Sequence, residues 1–326
     1  MKRIFIAGMF FLVVGCTSAS TKFNSDPQKL SFYSYDFNSE LADRIKICPD
    51  SMLNSLMQFD RKTNYFNYTL SPEEKQTVTD YIELLPELYK KILKEKLIGI
   101  YFVENFTGNG LTNNIYNDKG EQFYYIVFNK TTVGTNLSQL LTEKENTCFM
   151  DIDGKNRIEI DCGTAYSGFL YILFHEVSHI ADFEKHFTPG LPEDESYKPV
   201  SNETEFTKGV WKGYTVFKII YNHAYRSKIS FYGMNNGPFI HLYEAEELYK
   251  IQKNSPFTSL YSNFNWAEDF ADFASFYHIT QKLKQPYVIS VIKDSKTIFK
   301  YEPMKCENVL PRFNAVEKIY NEESVK

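Results

Sequence analysis

The sequence predicts an α+β protein, with strands gathered in its front half and helices in its back half. Short runs rich in Ile, Val, Tyr and Phe fall before residue 165, and longer stretches with apolar residues at helical spacing follow it. A content of 43% hydrophobic and 24% charged residues describes a packed globular chain, not a disordered one. Of the 326 residues, roughly 300 lie beyond a targeting-like start, enough for one large domain or two lobes around a cleft. A formal net charge of −5, with neither sign in a long block, disfavours a nucleic-acid partner.

The elements follow in chain order. Ser71 suits an N-cap and Pro72 the first helical position, opening a helical stretch that runs to Lys96. Leu97 to Val103 and Gln122 to Phe128 read as strands. Residues 148 to 162 alternate on both sides of Asp153-Gly154, a hairpin signature. Helices are expected over Tyr166 to Lys185, Val210 to Arg226, Leu242 to Gln252 and Trp266 to Lys284. The polar, acidic, proline-containing stretch Thr188 to Lys208 reads as an exposed loop between lobes at about 30–187 and 209–326. Tyr287 to Phe299 reads as extended, and a short helix follows Pro311.

The start of the chain has its own logic. Lys2 and Arg3 precede an apolar run from Ile4 to Val14, which ends in Val13-Val14-Gly15-Cys16. This resembles a bacterial lipoprotein signal with its lipobox. The resemblance implies removal of residues 1–15, lipidation of Cys16, a polar tether over 16–29 and a place in the cell envelope. Thr17 after Cys16, where an Asp would retain the protein at the inner membrane, implies the outer membrane. About eleven apolar residues fall well short of the roughly 20 needed to span a bilayer.

Four further cysteines, Cys48, Cys148, Cys162 and Cys306, would meet an oxidising compartment in an exported chain. The hairpin reading favours a Cys148–Cys162 bridge, which leaves Cys48 with Cys306; three connectivities stay open. Without a Cys-x-x-Cys pair, a cysteine zinc site is disfavoured.

The chemistry concentrates in His175-Glu176-Val177-Ser178-His179. On a helix, positions i and i+4 share a face, so the two imidazoles can grip one ion, while Glu176 sits one step round, suited to act as general base toward a water on that ion. With six His in the chain, chance supplies the pattern roughly 0.01 times. A catalytic zinc site needs a third ligand. The residues three and six after His179 are Asp182 and Lys185, which excludes the Gly and His of the metzincin pattern. Glu203 falls in the polar loop, and Glu244, Glu246 and Glu247 have no carboxylate four residues on. Glu268 does: Asp272 lies one turn further along, placed to orient a ligand imidazole.

His175-Glu176-x-x-His179 with a later Glu268-x-x-x-Asp272 resembles the gluzincin branch of the zincin metallopeptidases. The resemblance implies Zn2+ on His175, His179 and Glu268, Glu176 as base and proton shuttle, and a zincin-like cleft between a strand-containing upper lobe and a mainly helical lower lobe. The departure is the 89 positions between His179 and Glu268, far longer than in compact members. Peptide hydrolysis also needs a donor for the oxyanion, for which His241, Tyr261, Tyr277 and His278 are candidates by their nearness to Glu268 in the chain. An edge strand beside the active-site helix, expected at Gln122 to Phe128, would hold an extended peptide.

The function expected from the sequence is zinc-dependent hydrolysis of peptide bonds by a lipid-anchored envelope protein, acting on proteins, peptides or cell-wall peptides. The alternative is a non-catalytic envelope or surface lipoprotein that keeps the fold for binding or structure. An intact Glu176 argues for catalysis, because a structural site has no need of a base.

Overall fold

A computed structural model describes residues 26–190 and 203–321 of the chain. The signal segment, Cys16 and most of the expected tether lie outside the described residues, as do residues 191–202 of the expected loop. The architecture is mixed helix and sheet, as an α+β reading requires.

The first half builds a sheet from β1 (Ile45–Lys46), β2 (Phe66–Asn67), β3 (Leu97–Glu104), β4 (Gly110–Tyr116) and β5 (Gln122–Asn129), in the order β1-β3-β5-β4 with β2 also on β3. β1 and β5 run parallel to β3, while β4 returns antiparallel beside β5. Alternation along β5 sends Phe123, Tyr125 and Val127 to one core and Tyr124, Ile126 and Phe128 to another, so both faces are covered. The first core is closed by α1 (Asp50–Asp60) through Met52, Leu53 and Leu56.

Helices cover the other face. The stretch expected as one helix from Ser71 to Lys96 is two, α2 (Pro72–Glu83) and α3 (Glu87–Lys96), because Pro86 cannot continue the first and serves as N-cap of the second. Ser71 forms the expected cap, reciprocated by Glu74. After α4 (Thr131–Gly134) and α5 (Leu137–Asn146) come β6 (Phe149–Met150) and β7 (Asn156–Asp161). These do not form the expected hairpin. Asp151 Oδ1 does accept the N–H groups of Asp153 and Gly154 in a turn, yet β7 pairs antiparallel with a C-terminal strand, and β6 pairs parallel with residues 240–241.

The two expected disulfides are corrected with it. Cys48, Cys148, Cys162 and Cys306 are free, buried thiols, and Cys48 packs in a different core from Cys306. Burial pushes the thiols of Cys48 and Cys148 up to about 12, where they are poorly reactive.

α6 (Phe169–Lys185) runs through the centre, apolar on nearly every side and ended by His186 in a left-handed conformation (φ 56°). Beyond it, the helix expected over Val210 to Arg226 is instead a hairpin of β8 (Trp211–Gly213) and β9 (Val216–Phe217), with a 3-10 turn at Ile219–Tyr221. Gly213 and the β-branched Thr215 and Val216 favour the turn and strand, and Trp211 pairs with Phe217 in a small core of their own. Then follow β10 (Ile240–His241), α7 (Ala245–Lys253), α8 (Trp266–Tyr277), the antiparallel pair β11 (Val288–Lys293) and β12 (Lys296–Tyr301), and α9 (Phe313–Asn321). β11 joins β7, so the second half is not purely helical. α8 lies along α6, and that contact creates the site.

Candidate metal centre

α8 starts where Asn265 accepts the N–H groups of Ala267 and Glu268 on its side-chain oxygen. That fixes the phase of the helix. Asp269 turns away from α6 and is buried against the Arg312 guanidinium and the Trp211 indole N–H, which lies at 2.7 Å. Glu268 and Asp272, one turn apart, face α6 instead.

There they meet His175 and His179. Glu268 Oε2 lies 3.1 Å from His175 Nε2 and 3.5 Å from His179 Nε2, and the two Nε2 atoms are 3.2 Å apart. Ligands at 2.0–2.2 Å around a tetrahedral ion stand about 3.3 Å from one another, so the three atoms already have the spacing of a tetrahedral face. His175 and Glu268 are buried and His179 is half-buried, leaving access from one side. The group can hold a metal ion.

The electrostatics point the same way. Burial pulls the His175 imidazole down, but hydrogen bonds to Asp272 and Glu268 outweigh it and raise its pKa to about 10. Burial would raise the Glu268 carboxyl, yet the two imidazoles hold it well below the ordinary carboxylate range. Two imidazoles and a carboxylate packed this closely demand a positive charge, which a proton or a divalent ion supplies.

Asp272 completes the arrangement. His175 Nδ1–H donates to Asp272 Oδ1 at 2.9 Å, which leaves the Nε2 lone pair for the ion. The same carboxylate accepts the Tyr171 hydroxyl at 2.5 Å and the Ser259 hydroxyl, with the Lys144 ammonium 3.9 Å away. Burial pushes this carboxyl up, but Lys144 first and then His175 and Ser259 hold it at about 2. Lys144 is itself buried, over the rings of Tyr261 (4.2 Å) and Tyr171 (4.9 Å).

Glu176 faces the sheet. The Thr112 hydroxyl of β4 lies 2.8 Å from its Oε2, and the helix approaches so closely that a Cβ on Gly110 would come within 2.6 Å of its Oε1. Glycine at 110 is what lets β4 lie against α6. The strand beside the site is therefore β4, and β5, expected at the edge, is interior; the hydrophobic run of β5 suits a strand covered on both faces. Near its end β4 is met by the last of the expected tether, where the Tyr116 N–H donates to Gln28 O.

Of the four expected hydroxyl or imidazole donors, only Tyr261 stands at the centre, its ring 6.0 Å from that of His175. His241 stacks on Tyr243, Tyr277 packs on Phe313, and His278 stacks on Phe174 with Nδ1 bonded to Tyr320. Glu203, set aside from the sequence as a residue of the polar loop, is exposed and outside the cluster.

Sequence reasoning missed Tyr171, Lys144 and Tyr232. Tyr171 was legible, four residues before His175 on one helix face. Tyr232, in a left-handed conformation (φ 55°), accepts a hydrogen bond from Asn109 Nδ2 at 2.8 Å; burial, then the carboxylates of Asp272 and Glu145, push its hydroxyl pKa upward. Compared with protein-family models, curated proteins and solved structures, the chain matches none.

Proposed function

We propose that the chain is a zinc-dependent hydrolase of peptide bonds, of the gluzincin kind, carried on a lipid-anchored envelope protein. The observation that carries this reading is the three-ligand group itself, with the spacing of a tetrahedral face, on a helix where Glu176 directly follows the ligand His175. Two imidazoles and one carboxylate suit zinc. His175, His179 and Glu268 would hold the ion, and Asp272 would keep His175 in the ligating tautomer.

When bound, the ion supplies a Lewis acid that polarises a carbonyl and acidifies a water. Glu176 would take a proton from the attacking water on its carboxylate and return it to the departing amine. Thr112 holds the carboxylate by its hydroxyl. β4, at the edge of its sheet, offers main-chain groups to an extended peptide beside Glu176. The hydroxyls of Tyr261 and Tyr232 would be donors for the developing oxyanion. Proteins or peptides, cell-wall peptides among them, are the substrate class, and β-sheet with α6 forms one lobe while α8 and its neighbours form the other.

The test is Glu176→Gln in zinc-loaded protein. Zinc content should stay at the wild-type level, while hydrolysis of a mixed peptide library falls by about 10²-fold or more. Equal activity in the two proteins removes Glu176 from the chemistry. Zinc binding by wild type without hydrolysis of any peptide leaves the non-catalytic envelope lipoprotein.

A further inference from the structure

Between Glu205 and Glu244 the sequence holds no Asp or Glu, in a chain with 41 acidic residues. The same stretch carries Lys208, Lys212, Lys218, Arg226 and Lys228. It forms the β8–β9 hairpin and the turn after it, and that turn presents Ile219 and Ile220 at 71% and 74% exposure, the two most exposed large hydrophobic side chains described. Trp211 and Phe217 face each other inward across the hairpin, so strand alternation sends Lys212 and Lys218 out on the opposite face. Among the described residues no ion pair occupies Lys212, Lys218 or Lys228. Arg226 is engaged elsewhere, stacked on the Phe217 ring.

We propose that this hairpin and its isoleucine turn dock on an anionic lipid surface, with Ile219 and Ile220 entering the bilayer interface and Lys212, Lys218 and Lys228 lying at headgroup depth. The shape favours lipid over a protein partner. Two neighbouring side chains projecting from a narrow turn offer far less than the roughly 800 Å² that each side of a stable protein interface buries. A projecting apolar tip inserts into an interface, where lysine stems bury their methylenes and keep their charges at the surface. Each lysine near an anionic bilayer strengthens association by roughly fivefold. A lipid-bearing N-terminus, as the lipobox-like start implies, would bring this surface within reach of a membrane, and among the described residues no helix is long and apolar enough to cross one. The hairpin is also rigidly joined to the centre: the Trp266 N–H donates to Tyr214 O, and Trp211 donates to Asp269, the neighbour of Glu268. Docking would thus fix how the metal group faces the membrane. The proposal does not depend on the hydrolase reading.

The experiment uses the full chain with Cys16→Ser and Ile220→Cys, labelled at position 220 with an environment-sensitive fluorophore while the four described thiols stay buried. It is mixed with phosphatidylcholine vesicles, with or without phosphatidylglycerol, containing a lipid-borne nitroxide quencher. The control label is at Ile152→Cys, in a separate exposed turn. The expected result is a blue shift and quenching at position 220 in the anionic vesicles, none at 152, and loss of both signals in Lys212→Glu/Lys218→Glu or in high salt. A label at 220 that stays in water, is quenched no more than the one at 152, or is quenched equally without phosphatidylglycerol overturns the proposal. An unquenched label that shifts with soluble polyglutamate assigns the surface to an acidic partner and overturns it too.

Discussion

Asp272 is where the centre is most open to test, because four groups converge on one carboxylate. In Asp272→Asn the amide oxygen can still accept from His175 and Tyr171, but the NH2 group turns toward the Ser259 hydroxyl and the charge is gone. Two costs follow. Lys144, 3.9 Å from Oδ1, loses its anionic neighbour in a buried site. At that separation a pair is worth about 4 kcal/mol at an effective dielectric constant near 20, and the contacts of Lys144 with the Tyr261 and Tyr171 faces are common to both proteins, so the metal-free protein should lose up to about 4 kcal/mol of stability. His175 also loses the partner that makes it a strong ligand, which should weaken zinc binding by about 10–100-fold, or 1.4–2.7 kcal/mol. Competition with a chromophoric chelator measures the second effect, and urea unfolding in excess chelator measures the first. A zinc affinity within twofold of wild type would refute the role given to Asp272, even if stability fell, because a stability loss alone follows from Lys144.

Three further predictions use other parts of the molecule. Gly110→Ala places a Cβ within 2.6 Å of Glu176 Oε1 and 2.7 Å of Ile172 Cγ2, so β4 must withdraw from α6; peptide hydrolysis should fall about tenfold with zinc content unchanged, and an unchanged rate would show that the close approach is not needed. The Glu145 carboxyl is raised to about 7 by burial, against the opposing effects of the Tyr249 hydrogen bond and Lys144. Since its folded pKa lies above the unfolded value, its protonated form is favoured on folding; stability should drop by about 3 kcal/mol as pH rises from 4.5 to 7 and level off above, a trend that Glu145→Gln should flatten in urea titrations with chelator present. Arg312→Ala leaves Asp269 buried without its guanidinium and should cost about 3–5 kcal/mol in urea unfolding, whereas Arg312→Met with Asp269→Asn should recover most of it; equal losses in the two proteins would count against a buried-charge origin.

Much of the centre was legible because its parts are set by helical geometry. His175 with His179, and Glu268 with Asp272, each lie one turn apart, and Ser71 and Asn265 mark helix starts by chemistry that acts within three residues. The failures share a different cause. Residues 148–162 alternate as a hairpin does, but each arm found a better partner from beyond residue 239. Gln122 to Phe128 looks like any strand, and whether it lies at the edge depends on where β4 docks. Val210 to Arg226 has apolar residues that serve a helix or a hairpin equally, and the packing of Trp211 and Phe217 on Phe257 decides between them.

The sequence by itself determined which side chains share a helix face, and with that the pairs His175 with His179 and Glu268 with Asp272 and the helix caps, since these follow from a rise and a turn fixed by backbone chemistry. Only the tertiary structure decided that Glu268 meets the two imidazoles across α6 and α8, that Asp269 faces Arg312, that Lys144 and Tyr232 gather round the site and that the four described thiols stay free. Those contacts join residues scores of positions distant in the chain, and their choice rests on burial and shape summed over the whole core, which no local pattern encodes.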